Sequence, residues 1–209
     1  MHRRNLAMAW ALAAGTGLSV AAFAHDKAAH EANAARAASA RPVGVQLRLP
    51  DARLVDQDGR EVRLASDVLG QRVAVVSFVY TTCTTVCPVL SATMSQLQRR
   101  LEGRLGEKVL LVSITVDPQR DTPARLKEYS GLHGAGEHWR WLTGRKSDVD
   151  AVLKAFGTFT PNPEDHPSVT MIGDAEGRRW TRLYGFPSVE EVLAQVEHAL
   201  AVPVARHRH

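Results

Sequence analysis

The sequence predicts a single α/β domain built around a parallel strand–helix–strand unit. Three features predict it: apolar, β-branched runs at residues 73–80 and 108–116, and a helical pattern between them. Each run is apolar at consecutive positions, as in strands covered on both faces. A helix joining parallel neighbours crosses over in the right-handed sense. The 209 residues, 44% of them hydrophobic, are enough for one core with appendages.

At the start of the chain, Arg3 and Arg4 precede an alanine-rich apolar segment over residues 6–23, closing in Ala22, Phe23 and Ala24. This pattern predicts a signal peptide over residues 1–24, cleavage before His25, and export to the periplasm or an equivalent space. An uncleaved anchor is the competing reading, and Gly15, Thr16, Gly17 and Ser19 argue against it. Residues 25–43 are polar and alanine-rich with no apolar stripe, so a flexible linker is expected there, with His25 and His30 solvated.

The folded domain is expected over residues 44–203. Leu47 and Leu49 alternate into Leu54 and Val55, residues 56–59 (Asp-Gln-Asp-Gly) form a tight turn, and residues 61–64 return, giving an N-terminal hairpin. After the first core strand, Pro88 suits a first helical turn, where its missing N–H costs nothing. Val89, Leu90, Met94, Leu97 and Leu101 then recur at helical spacing, which predicts a helix to about residue 105. Beyond the second core strand, Asp121 or Thr122 with Pro123 caps a helix over residues 126–132. Residues 139–143 read as a strand and residues 147–156 as a helix capped by Ser147. An irregular stretch with Pro161, Pro163 and Pro167 follows, then a hairpin over 169–184 and a Ser188-capped helix over 189–200. This order is that of a thioredoxin-like fold with an added N-terminal hairpin. Residues 204–209 form a basic tail.

The net charge of +4 and pI near 9.4 come from scattered basic residues. Without an aromatic-interleaved basic stripe, nucleic acid is not expected as a partner. No apolar surface stripe is evident, so a monomer is expected.

The chemistry concentrates in Cys83 and Cys87, the only two cysteines. They sit where a strand gives way to a helix, and exposed N–H groups at a helix N-terminus favour thiolate over thiol. A three-residue spacer gives two sulfurs the latitude to chelate an ion. Soft thiolates select Cu(I), with zinc as the ordinary competitor, and two of them leave coordination incomplete. A structural disulfide and a redox dithiol remain open alternatives. His166 is the candidate third ligand: it lies in the irregular stretch, and Pro167 biases it towards extended backbone, with a cis bond as a further option. By position alone a loop histidine is more often solvated than a ligand. His133, His138, His198, His207 and His209 compete weakly. The loop with Asp117, Arg120 and Asp121 shares the cysteine edge of the sheet, where these residues either tune the dithiol or serve capping and ion pairing.

Four stretches together resemble the SCO/SenC family, exported thioredoxin-fold proteins associated with copper delivery to cytochrome c oxidase. They are residues 56–59, residues 78–88 (Phe-Val-Tyr-Thr-Thr-Cys-Thr-Thr-Val-Cys-Pro), residues 112–123 followed by Leu126 and Tyr129, and Asp165 with His166. The resemblance covers nearly all of residues 45–200. It implies that Cys83, Cys87 and His166 ligate one copper ion per chain, as Cu(I) and as Cu(II). It further implies a metallochaperone for the dinuclear copper centre, with the oxidase copper-site subunit and other copper carriers as partners. Membrane contact would come only through the partner or an uncleaved signal segment. Thiol–disulfide exchange at Cys83 and Cys87 is the implied second activity. The alternatives are an oxidoreductase that reduces the oxidase copper-site cysteines, and a redox or copper sensor. A blue-copper carrier is disfavoured, since that site needs two histidines with one cysteine. The chain departs from the family in three ways. Thr84 and Thr85 stand where many members carry Pro and Asp, Pro167 follows His166 directly, and the expected cleavage removes a membrane anchor that many members keep.

Overall fold

The computed structural model describes residues 42–174 and 179–201. The expected signal peptide, nearly all of the linker, most of the 173–177 turn and the basic tail lie outside these residues. Among the described residues eight strands form one sheet in the order β1-β8-β7-β4-β5-β6-β2-β3. The strands are β1 (Val43–Gln46), β2 (Arg53–Asp56), β3 (Glu61–Arg63), β4 (Val73–Val79), β5 (Val109–Thr115), β6 (Trp139–Thr143), β7 (Val169–Asp174) and β8 (Arg179–Tyr184). The α-helices are α1 (Val86–Arg100), α2 (Pro123–Leu132), α3 (Lys146–Phe156) and α4 (Val189–Ala201).

The central strands β4 and β5 are parallel, and every residue of each is buried. Their alternate side chains feed two separate cores. Ala74, Val76 and Phe78 join Ile114, Leu153, Phe156 and Trp180 on one face. Val75 and Val79 join Cys83, Cys87, Met94, Leu97, Tyr129, Trp141 and Val192 on the other. The second core is covered by α1, α2 and α4, the first by α3 and a wide turn of π-helix at Leu64–Leu69. β6 extends the parallel set, and β7 runs antiparallel to β4, which completes the thioredoxin-like centre.

The N-terminal hairpin pairs Arg53 with Arg63 and docks through β2 on β6. Its turn is fixed by Asp56, whose carboxylate accepts from the amides of Asp58 and Arg60 at 2.9 Å each and pairs with the Arg140 guanidinium. Leu47 and Leu49, expected within this hairpin, are instead packed against the core without strand pairing. The strand of that region is β1, which starts at Val43 and pairs with β8 at the opposite edge.

Three boundaries shift for local reasons. α1 begins at Val86, so Pro88 occupies its third position, still within the turn whose N–H groups have no helical acceptor. The helix stops at Arg100, short of residue 105. Gly103 (φ 56°) and Gly106 (φ 84°) then adopt left-handed backbone that no helix continues through. α3 starts one residue early, and Ser147 does not cap it: its N-cap is Arg145, which makes no side-chain cap and pairs with Asp148 at 2.7 Å. The expected caps at Thr122 and Ser188 are present. Thr122 Oγ1 accepts from the Arg125 amide at 3.3 Å, and Ser188 and Glu191 bond reciprocally.

Candidate metal centre

Cys83 and Cys87 lie at the C-terminal edge of β4, where the chain turns into α1. Both thiols are free and both are buried. The N-cap residue Thr85 makes no side-chain cap. The Cys87 amide, second in the helix, instead donates to Cys83 Sγ at 3.3 Å. The outer sulfur thus takes the place that a serine or aspartate oxygen usually fills, and the four-residue step from Cys83 to Cys87 is what allows it.

This placement separates the two thiols electrostatically. Burial pushes the Cys83 pKa up. The Cys87 thiol, the amides of Cys87 and Thr85 and the Tyr80 hydroxyl all hydrogen-bond to its sulfur, and together they bring it down to about 7. Cys87 is pushed up to about 12, chiefly by burial and then by donating to Cys83. One thiolate shared by two sulfurs is the resting state this arrangement favours near neutral pH.

The loop after β5 packs directly beneath. Asp121 is 1% exposed and accepts from Thr81 Oγ1 and Thr115 Oγ1, each at 2.6 Å. It therefore clamps the cysteine loop to the end of β5. Arg120 pairs with Asp117 at 3.3 Å, an ion pair internal to that loop.

His166 follows a short 3-10 turn at Pro163–Asp165, and the peptide bond to Pro167 is trans. Its ring lies 5.8 Å from that of Phe78, and its Nε2 is buried with no hydrogen-bond partner among the described residues. Desolvation lowers its pKa to about 4, so the imidazole is neutral at physiological pH, the form that binds metal. No three His, Cys, Asp or Glu side chains among the described residues form a ready-made metal cluster. The structure brings Cys83 and Cys87 together and leaves His166 at the neighbouring loop with an unused nitrogen. His133 packs tilted against Tyr129 at 4.8 Å and lies parallel to Trp141 at 6.5 Å.

Two contributors escaped sequence reading. Tyr80 reads as the last residue of a strand, yet its hydroxyl reaches Cys83 and feels both sulfurs and Glu164. Thr85, marked only as a departure from the family, brings its amide and its hydroxyl, the latter at 3.9 Å, to the same sulfur. A hydroxyl three residues before a cysteine was the available signal for Tyr80.

The donor set suits a soft ion: two sulfurs, one already favoured as thiolate, and an imidazole nitrogen with no hydrogen bond to lose. Comparison with known proteins points the same way. The SCO1 protein homolog of Bacillus subtilis is 33% identical over 117 residues, 54% of this chain and 59% of that protein. A Stutzerimonas stutzeri relative matches over 55% of its own length, so the chain spans little more than half of these two relatives. Two solved structures, each 25% identical, superpose with a TM-score of 0.65. BsSco, a member of the Sco family of cytochrome c oxidase assembly proteins, covers 77% of this chain and 98% of its own. Yeast Sco1 with copper bound covers 78% and 94%. No helix among the described residues is long and apolar enough to cross a membrane. The SCO1/SenC family profile matches residues 49–201, and the chain belongs to the SCO1/SenC family.

Proposed function

We propose that this protein is an exported copper carrier that binds one ion through Cys83, Cys87 and His166 and passes it to the dinuclear copper site of cytochrome c oxidase. The observation that carries the reading is the unpartnered, neutral His166 Nε2, together with two free cysteines whose outer sulfur caps a helix N-terminus. The copper-bound yeast relative and the oxidase-assembly role of BsSco supply the chemistry and the recipient class.

In this reading Cys83 is the entry ligand, because its thiolate is present near pH 7 without help. Cys87 gives up its proton as it joins, since metal coordination requires the thiolate. His166 closes the set by an adjustment of its loop, which breaks no hydrogen bond at Nε2. Two thiolates and one imidazole accommodate Cu(I) in three-coordinate form, and the imidazole extends the set to Cu(II). The recipient is the copper-site subunit of the oxidase, with other copper carriers as donors, in the periplasm or its equivalent.

The asymmetry of the thiols favours a second reading, a thiol–disulfide oxidoreductase that reduces the copper-site cysteines of the oxidase. Cys83 would attack as thiolate and Cys87 would resolve the mixed disulfide. Anaerobic Cu(I) titration against a competing chelator separates the two. The carrier predicts one tightly held ion per chain and at least a tenfold loss of affinity in His166→Ala. Equal binding by wild type and His166→Ala, or no competition with the chelator by either, assigns the dithiol to exchange chemistry instead.

A further inference from the structure

Two buried hydroxyls near Cys87 have no hydrogen-bond partner among the described residues: Ser91 Oγ and Tyr129 Oη. Ser91 is 1% exposed and follows Cys87 by four residues on α1, which places both on one face of the helix. Tyr129 is 8% exposed, belongs to α2, and packs in the same core as Cys83, Cys87, Met94 and Trp141. Its ring is held edge-on to Trp141 at 5.6 Å and against His133 at 4.8 Å, so the hydroxyl position is set by packing. The tyrosine lies close enough to Ser91, and to both sulfurs, for each to influence its ionisation, yet the two hydroxyls do not meet in hydrogen-bonding geometry.

A buried hydroxyl without a partner is costly, and two near one sulfur ask for an acceptor. The metal-free protein offers neither hydroxyl an acceptor among the described residues, and the sulfur of a free cysteine thiol accepts weakly. A thiolate in a metal complex accepts strongly. We propose that Tyr129 and Ser91 are positioning residues that donate hydrogen bonds to the Cys87 sulfur when it is bound to copper, and so tune affinity and the electronic character of that sulfur. This rests on the copper-carrier reading.

The experiment compares wild type, Tyr129→Phe, Ser91→Ala and the double variant. Cu(I) affinity is expected to fall about tenfold in Tyr129→Phe and further in the double variant, as for partners that support a ligand. The sulfur-to-Cu(II) charge-transfer band should move to lower energy, because lost hydrogen bonds raise the sulfur electrons. Thermal stability should hold or rise, since each variant deletes an unsatisfied hydroxyl. A purely structural hydroxyl would lower it and leave the band in place.

The dithiol is measured separately in glutathione buffer, where protein disulfide plus two glutathione thiols gives protein dithiol plus glutathione disulfide. Tyr129→Phe and Ser91→Ala should leave this equilibrium unchanged, because in the metal-free protein neither hydroxyl meets an acceptor. If wild type takes up no copper, the carrier reading falls and the proposal with it; if wild type takes it up and the double variant matches it, the hydroxyl pair alone falls. Unchanged affinity and band in the double variant overturn the proposal, as does a redox equilibrium that moves as far as the affinity.

Discussion

Thr81 and Asp121 tie together the two loops at the C-terminal edge of the sheet. The Asp121 carboxylate takes the Thr81 hydroxyl at 2.6 Å and its amide at 3.2 Å, and holds Thr115 with its other oxygen. Asp121→Asn leaves one oxygen where two accepted, and turns an amide donor towards a donor. A buried hydrogen bond to a charged group is worth about 1.5–3 kcal/mol, and the displaced donor adds a comparable cost. Denaturant unfolding should show a loss of about 2–4 kcal/mol, with faster alkylation of Cys83 as its loop loosens. An unchanged midpoint would mean that the clamp is not what orders the cysteine loop.

Gly173 pairs with Trp180 between β7 and β8, and a Cβ there would stand 2.2 Å from the Arg179 carbonyl oxygen and 2.8 Å from Trp180 Cα. Both obstacles are backbone, so no side-chain rotation relieves them. Gly173→Ala must separate the strands that carry the Trp180 side of the core. The expected cost is about 3 kcal/mol or more, read as a lowered unfolding midpoint, and a fully stable variant would contradict this pairing.

Residues with self-contained patterns were legible before the structure. Val73–Val79 and Val109–Thr115 match their apolar runs to within a residue or two at each end, because burial on both faces demands such runs. β1 was not, because it is an exposed edge strand containing Gly44. Its pairing with β8 depends on residues near the other end of the chain. The π-turn at Leu64–Leu69 hid behind Leu64, which continues the β3 alternation but leaves the strand to pack in the core. At the site, the cysteine pair and its helix N-terminus followed from spacing. The unpartnered nitrogen of His166 and the hydroxyls of Tyr80, Ser91 and Tyr129 depend on which elements pack together, which periodicity does not encode.

The π-turn gives a pH dependence. Asp51 accepts from the Ala65 and Ser66 amides at 3.0 Å each and from the Ser66 hydroxyl. Partial burial alone would raise its carboxyl pKa, but these bonds and nearby Arg63 outweigh it and hold it below the usual value of 3.8. A carboxyl more acidic in the fold than in the open chain contributes stability above its unfolded pKa and loses it as pH falls through the folded one. Stability should decline below about pH 4, with a shallower slope in Asp51→Asn. Identical slopes for both proteins would remove Asp51 from the acid response. The effect is small, because Asp51 is exposed and screened.

In the reduced, metal-free protein the two thiols should react in order. Cys83 is the more exposed, 5% against 1%, and carries the thiolate, with a pKa brought down to about 7 against about 12 for Cys87. Iodoacetamide should therefore modify Cys83 first, at a rate that rises with pH through about 7, with Cys87 labelled only after unfolding. The Cys87 amide supplies this acidity partly through the helix N-terminus, so the order should survive Tyr80→Phe, while the Cys83 midpoint rises because one hydrogen bond to the thiolate is lost. Peptide mapping of the alkylated protein reads both results. Equal labelling of the two cysteines, or Cys87 first, would show that the capping sulfur is not the thiolate and would exchange the roles assigned to them in metal entry.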